Sequence, residues 1–219
     1  MKKFLLFVVA ATFFVNAMAP APEAKTIEAM KSATLQDLVV DNFDDADITV
    51  APNWWKFDRL QVTFPEATDK QYGLYTIKVT GKAESYYVGG MGTYFGKDVS
   101  AYDTFALDVY GNGPASGTIK VQLLDDDNNT FQVEQDSKYE PMADDRLEYE
   151  LPVTWTGWKT VEIPLNKFVD TNPGIGDDVF NPDQANGSGG LLHVQLVFVA
   201  TSDKGTITIG LDNLRFVKK

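Results

Sequence analysis

Residues 205–216, Gly-Thr-Ile-Thr-Ile-Gly-Leu-Asp-Asn-Leu-Arg-Phe, alternate apolar with small or polar side chains, break at an acid, and then resume. Successive side chains of an extended strand point to opposite faces, so such a run needs a core on one side and water on the other. Near the other end of the chain, Val39-Val40-Asp41-Asn42-Phe43-Asp44-Asp45 makes a similar passage from apolar to acidic. A β-sandwich that pairs the first strand with the last would bring these carboxylates together, and a hard cation is a natural way to hold them.

The same two-residue period recurs between these ends. Phe105, Leu107 and Val109 share one face of a run; so do Ile119, Val121 and Leu123, and Val194, Leu196 and Phe198. The pattern predicts strands near 36–43, 58–64, 72–80, 85–95, 103–110, 117–124, 129–135, 146–151, 158–163, 191–199, 205–210 and 211–217. Turn signals separate them at Gly111-Asn112-Gly113-Pro114, Asp125–Asn129, Asn172-Pro173-Gly174 and Ser202-Asp203-Lys204-Gly205. No long amphipathic helix is evident, so the expectation is an all-β, antiparallel β-sandwich over residues 35–219. The glycine-, proline- and aspartate-rich stretch 169–190 reads as a long loop.

Residues 1–19 read as a secretory signal peptide: Lys2 and Lys3, an apolar run from Phe4 to Val15, then Ala17-Met18-Ala19 before the cleavage point. Residues 20–34 read as a flexible lead. Cleavage removes two lysines and no acid, which takes the net charge from −12 to −14. That balance argues against nucleic acid and against anionic membrane surfaces, and no membrane insertion is expected after cleavage. The chain has no cysteine, so neither disulfides nor a lipid-modified cysteine is expected. Together these features point to a secreted, periplasmic or cell-surface bacterial protein.

Val39–Asp45, Tyr72–Gly81, Asp98–Gly113, Gly117–Asp127, Gly157–Phe168 and Gly205–Phe216 follow one another as in galactose-binding-like jelly rolls. In that order they resemble carbohydrate-binding module family 11 and related secreted or flagellar-sheath sandwich proteins. The resemblance implies a structural calcium joining the first strand to the last, with Asp41, Asp44 and Asp212 at the matching positions and Asp45 as a spare. On the residues alone, these acids could equally cap strands and face water. The resemblance further implies glucan binding on an open sheet. Asp108, Tyr110, Lys120, Gln122, His193 and Gln195 alternate with core-facing residues and would form a polar shelf if their strands are neighbours. An ordinary solvent face, or one covered by another subunit, fits the same residues.

Aromatic residues are plentiful, and rings stack on the apolar faces of sugars. Trp155 is a candidate ligand contact. Trp158 is expected in the core, as the packing anchor that it is in similar domains. Of the adjacent Trp54 and Trp55, only one can face inward on an extended chain. The run Asp125–Asn129 has the spacing of part of an EF-hand, but it lacks the glycine that such a loop needs and is flanked by strands, so it reads as a hairpin turn. With one histidine, no cysteine and no phosphate-binding loop, nothing assembles a catalytic centre. The expected function is therefore non-catalytic glycan or polysaccharide binding. The alternative is a structural subunit of an extracellular or periplasmic assembly, such as a flagellar sheath or surface filament. That alternative gains from the absence of an attached catalytic domain in this sequence.

Overall fold

The computed structural model describes residues 35–219; the expected signal peptide at 1–19 and lead at 20–34 lie outside the described residues. Residues Gln36–Lys219 form one compact unit. Its strands are β1 (Leu38–Asp41), β2 (Trp54–Asp58), β3 (Gln61–Thr63), β4 (Ile77–Lys82), β5 (Tyr87–Lys97), β6 (Thr104–Asn112), β7 (Thr118–Asp125), β8 (Arg146–Pro152), β9 (Thr156–Pro164), β10 (Val169–Asp170), β11 (Leu191–Val199) and β12 (Thr206–Val217). The first sheet runs β3-β4-β12-β6-β9, with β1 also on β12. The second runs β10-β8-β7-β11-β5-β2. Every strand pairing is antiparallel, so the expected antiparallel β-sandwich is what the chain forms.

The core lies between the sheets. All three apolar triads face it and are fully buried: Phe105, Leu107 and Val109 on β6, Ile119, Val121 and Leu123 on β7, Val194, Leu196 and Phe198 on β11. Ile207, Ile209 and Leu211 of β12 join them. Each such side chain contributes about 1.5–3 kcal/mol on burial, so the alternation is also the principal source of stability.

The structure departs from the predicted strands in three places. The break expected between 205–210 and 211–217 does not divide the strand; it is a bulge, with Asn213 at φ 49° and the register to β6 shifting between Asp212 and Arg215. Residues 129–135 form no strand, because the Asp126 carboxylate accepts the Thr130 and Phe131 N–H groups and curls the chain there. The strand expected at 58–64 shrinks to β3, and β2 precedes it; Asp58, at φ 58°, turns the chain between the two.

At the end of β6, a Cβ on Gly111 would lie 2.3 Å from the Trp155 carbonyl oxygen and 2.9 Å from Val153 Cγ1. Backbone on that side cannot yield cheaply. Gly111→Ala should lower the unfolding free energy by about 1–3 kcal/mol in urea titrations; an unchanged midpoint would show that the β8–β9 connection gives way freely.

Candidate functional site

The outward face of the second sheet carries a continuous polar ladder. Its register places Glu148 (β8), Gln122 (β7), Gln195 (β11), Gly92 (β5) and Trp55 (β2) in one row across five strands. Gln195 Nε2 donates to Gln122 Oε1 at 2.7 Å, and Gln122 Nε2 donates to Glu148 Oε2 at 2.7 Å. In the next row Lys120 Nζ contacts Glu148 at 2.7 Å and Glu150 at 2.9 Å. The hydrogen bond to Glu148 is the main reason that the Lys120 amine is held above its ordinary pKa. These bonds preset the rotamers, so the face presents oriented polar groups rather than free side chains.

Rings border the ladder. The Trp55 ring covers Gly92, where a Cβ would come within 2.6 Å of its six-membered ring. Phe57 likewise covers Gly90. His193 meets Trp55 edge-on at a centroid distance of 4.9 Å and Tyr94 at 6.1 Å. Tyr94 is about half exposed, and Trp55 and His193 are partly exposed. Trp54, the other member of the tryptophan pair, is buried in the core. Glycines inside a strand mark sites of close approach, so Gly90 and Gly92 were a readable sign of rings lying across β5. Glu148 and Glu150 carry no such local sign, since only the pairing of β7 with β8 sets them beside Lys120 and Gln122.

Four of the six expected ligand residues, Lys120, Gln122, His193 and Gln195, thus share one face. The other two do not. Tyr110 is on β6 of the opposite sheet, where its ring meets Trp158 at 5.5 Å. Trp155 follows β8, packs against the core and donates Nε1–H to the Val109 carbonyl at 3.2 Å. Trp158 is not in the core either. It stacks on Tyr72 at 4.4 Å on the outer side of the first sheet, beside a groove of about 400 Å³ that Tyr110, Thr76 and Asn112 also line. Tyr72 occupies one face of that indole; along the row of the second sheet, Trp55 and Gln195 are partly exposed and Gln122 is buried. Asp108, also expected on the shelf, is buried on the first sheet and bonded to Thr160 and Asn213.

The acids gather in two places. On the first sheet, Asp41 accepts Phe43 N–H at 2.8 Å and Trp54 Nε1–H at 2.7 Å, and Asp44 accepts the N–H groups of Leu74 and Tyr75. Asp212 is fully buried; its Oδ1 accepts Asn213 N–H, while its Oδ2 has no partner. Burial, aided by the charges of Asp108, Asp44 and Asp41, pushes the Asp212 carboxyl up to about 7. At the loop end of the second sheet, Asp125, Asp127 and Asp145 each bring a carboxylate oxygen within 4.8 Å of the others and could hold a metal ion. Two of these three belong to the segment expected to be a plain hairpin turn. Burial pushes Asp125 up to about 8, Asp127 to about 6 and neighbouring Asp144 to about 7.

The sequence profile of the surface glycan-binding protein B xyloglucan-binding domain matches residues 36–218. Among solved structures, a family 11 carbohydrate-binding module from Clostridium thermocellum in complex with a β-1,3-1,4-mixed-linked tetrasaccharide superposes with a TM-score of 0.55. It is 14% identical over 85% of this chain and 98% of that one. The family 11 module of the cellulosomal cellulase Lic26A-Cel5E of the same organism gives 0.53, with 13% identity over 85% and 97%. A family 30 carbohydrate-binding module gives 0.50, with 15% identity over 84% and 100%. At these identities the shared property is the fold. No curated protein matches the chain.

His193 is the chain's single histidine, and its burial pushes the imidazole pKa down to about 4. The unfolded state therefore binds a proton more readily, and the ring costs stability as pH falls from about 6.5 toward the folded value. The one imidazole signal in an NMR titration of the folded protein should move with a midpoint near 4. A midpoint at or above about 6.5 would mean that the ring is solvated and not packed against Trp55 and Tyr94.

Proposed function

The chain belongs to the family of the surface glycan-binding protein B xyloglucan-binding domain, and from that premise we propose that it binds a xyloglucan-type glucan along the outer face of its second sheet. The protein is a non-catalytic carbohydrate-binding β-sandwich. The observation that carries the site is the single row in which Trp55, over Gly92, continues into Gln195, Gln122 and Glu148. An extended β-glucan presents an apolar pyranose face and a border of hydroxyls. Trp55 and Tyr94 supply ring surface for the first, and the amides and carboxylates, with Lys120, supply donors and acceptors for the second. His193, neutral at physiological pH, offers a ring edge between them.

A β-glucan is an extracellular polymer, and a family of surface glycan-binding proteins fits an extracellular or cell-surface position. The leader expected at residues 1–19 is consistent with export. No observation favours the alternative of a self-assembling filament or sheath subunit.

Calcium is the proposed structural ion where the first and last strands meet. Asp212 would offer its unpartnered Oδ2, and the charges of Asp44 and Asp41 already act on it, although among the described residues only Asp125, Asp127 and Asp145 bring three carboxylates within 4.8 Å of one another. Asp44 Oδ1 already accepts two N–H groups, so its Oδ2, which accepts only Asn42 Nδ2–H, would face the ion; Asp41 and Asp212 keep a lone pair beside each bond that they accept. When bound, the ion would supply the charge that these converging carboxylates lack.

Trp55→Ala and Gln122→Ala should each weaken retention on xyloglucan in affinity electrophoresis, the tryptophan change by about tenfold or more. Trp158→Ala, on the opposite sheet, should leave retention intact. Wild-type retention by the Trp55 variant would remove the shelf. A chelator should lower the melting temperature, and Asp212→Asn should reduce that sensitivity; an identical melt with and without chelator would dismiss the ion at this position.

A further inference from the structure

We propose that Asp125, Asp127 and Asp145, with Asp144 at their flank, bind a calcium-class divalent cation that pins the loop 126–145 to the segment 172–181 at the end of β7. Among the described residues, four buried side-chain atoms have no hydrogen-bond partner. Three of them, Asp125 Oδ1, Asp127 Oδ1 and Asp144 Oδ2, belong to this cluster. Asp125, Asp144 and Asp145 are fully buried. An isolated buried carboxylate is costly, and several together cost more. Yet none of the ion pairs among the described residues reaches these acids. The nearest cation in sequence, Arg146, is engaged with Glu140 and Thr171.

The backbone prepares the site. Asp125 Oδ2 accepts Asn181 N–H at 2.8 Å, Asp127 Oδ2 accepts Asp145 N–H at 2.8 Å, and Asp145 Oδ2 accepts Val179 N–H at 2.9 Å. These bonds fix each carboxylate in orientation, and in Asp125 and Asp127 the other oxygen is left over. Gly176 closes over the cluster: a Cβ there would lie 2.3 Å from oxygens of both Asp127 and Asp145. Two oxygens bound to one calcium at 2.3–2.6 Å lie no more than about 5 Å apart, and the trio's oxygens all lie within 4.8 Å of one another. An all-oxygen donor set excludes the thiolate- and imidazole-seeking metals. Irregular loops, with carbonyls and water to complete the shell, suit calcium better than the rigid octahedron of magnesium. This inference does not depend on the glycan reading.

The test is calcium chloride titrated into the chelator-treated full chain by isothermal calorimetry, paired with hydrogen exchange of the two loops. The expected result is saturable binding at about 1 mM or tighter, with exchange slowed across 126–145 and 172–181. Magnesium should give weaker protection. Asp127→Asn, at the half-buried member, should weaken calcium binding at this site by about tenfold or more. Asp125→Asn with Asp145→Asn should abolish loop protection, and if that pair fails to fold, the Asp127 variant decides. Asp212→Asn should leave protection of the two loops unchanged, which separates this ion from one at the strand junction. Calcium-independent exchange in both loops, or equal loop protection in the Asp127 variant, would overturn the proposal.

Discussion

The structure depends on β12 having two partners in succession along one edge. On one side it pairs with β6. On the other it pairs with β4 from Thr206 to Leu211 and with β1 from Leu214 to Phe216. Neither β1 nor β4 spans the whole length, so the sheet closes only because the chain's first and last strands meet. The handover falls at Asp212 and Asn213, and the bulge there is its geometric consequence: the strand must shift register as it changes partner. Carboxylates accumulate at this seam because backbone N–H groups beside the handover need acceptors: buried Asp41 takes that of Phe43, and half-buried Asp44 those of Leu74 and Tyr75.

With the first sheet closed in this way, the second sheet is free to be a surface. Its inner face is aliphatic and its outer face is polar, as a half-buried antiparallel sheet requires. The outer face nonetheless differs from an ordinary wet face in two respects. Its polar groups bond to one another across three strands, from Gln195 through Gln122 to Glu148. Its glycines on β5 let the Phe57 and Trp55 rings approach the backbone closely, which makes an aromatic border beside the ladder. Both properties fit the glycan-binding face proposed for this sheet.

The loop end of the same sheet answers a different problem. Connections of twenty residues are hard to order by apolar burial, and here Asp125, Asp126, Asp144 and Asp145 are turned inward to accept loop N–H groups instead. Carboxylates are strong acceptors but bring charge with them, so a loop organised in this way accumulates negative potential at its centre. The expectation of a plain hairpin turn at Asp125–Asn129 failed for this reason. Asp145 and the 172–181 segment, remote in sequence, convert two ordinary turn acids into members of a buried cluster.

The sequence by itself determined the layers. Period-two alternation at Phe105–Val109, Ile119–Leu123 and Val194–Phe198 assigns each side chain to core or solvent through local geometry, so the antiparallel sandwich and the shared face of Lys120 with Gln122, and of His193 with Gln195, were legible. Only the tertiary structure decided which strands are neighbours. That choice sent Tyr110 to the opposite sheet, tucked Trp155 against the core, set Glu148 and Trp55 into the ladder's row and brought Asp145 to Asp125. Alternation specifies which way a side chain points, but it carries no information about which strand lies alongside, because that is settled by hydrogen bonds and packing between segments far apart in the chain.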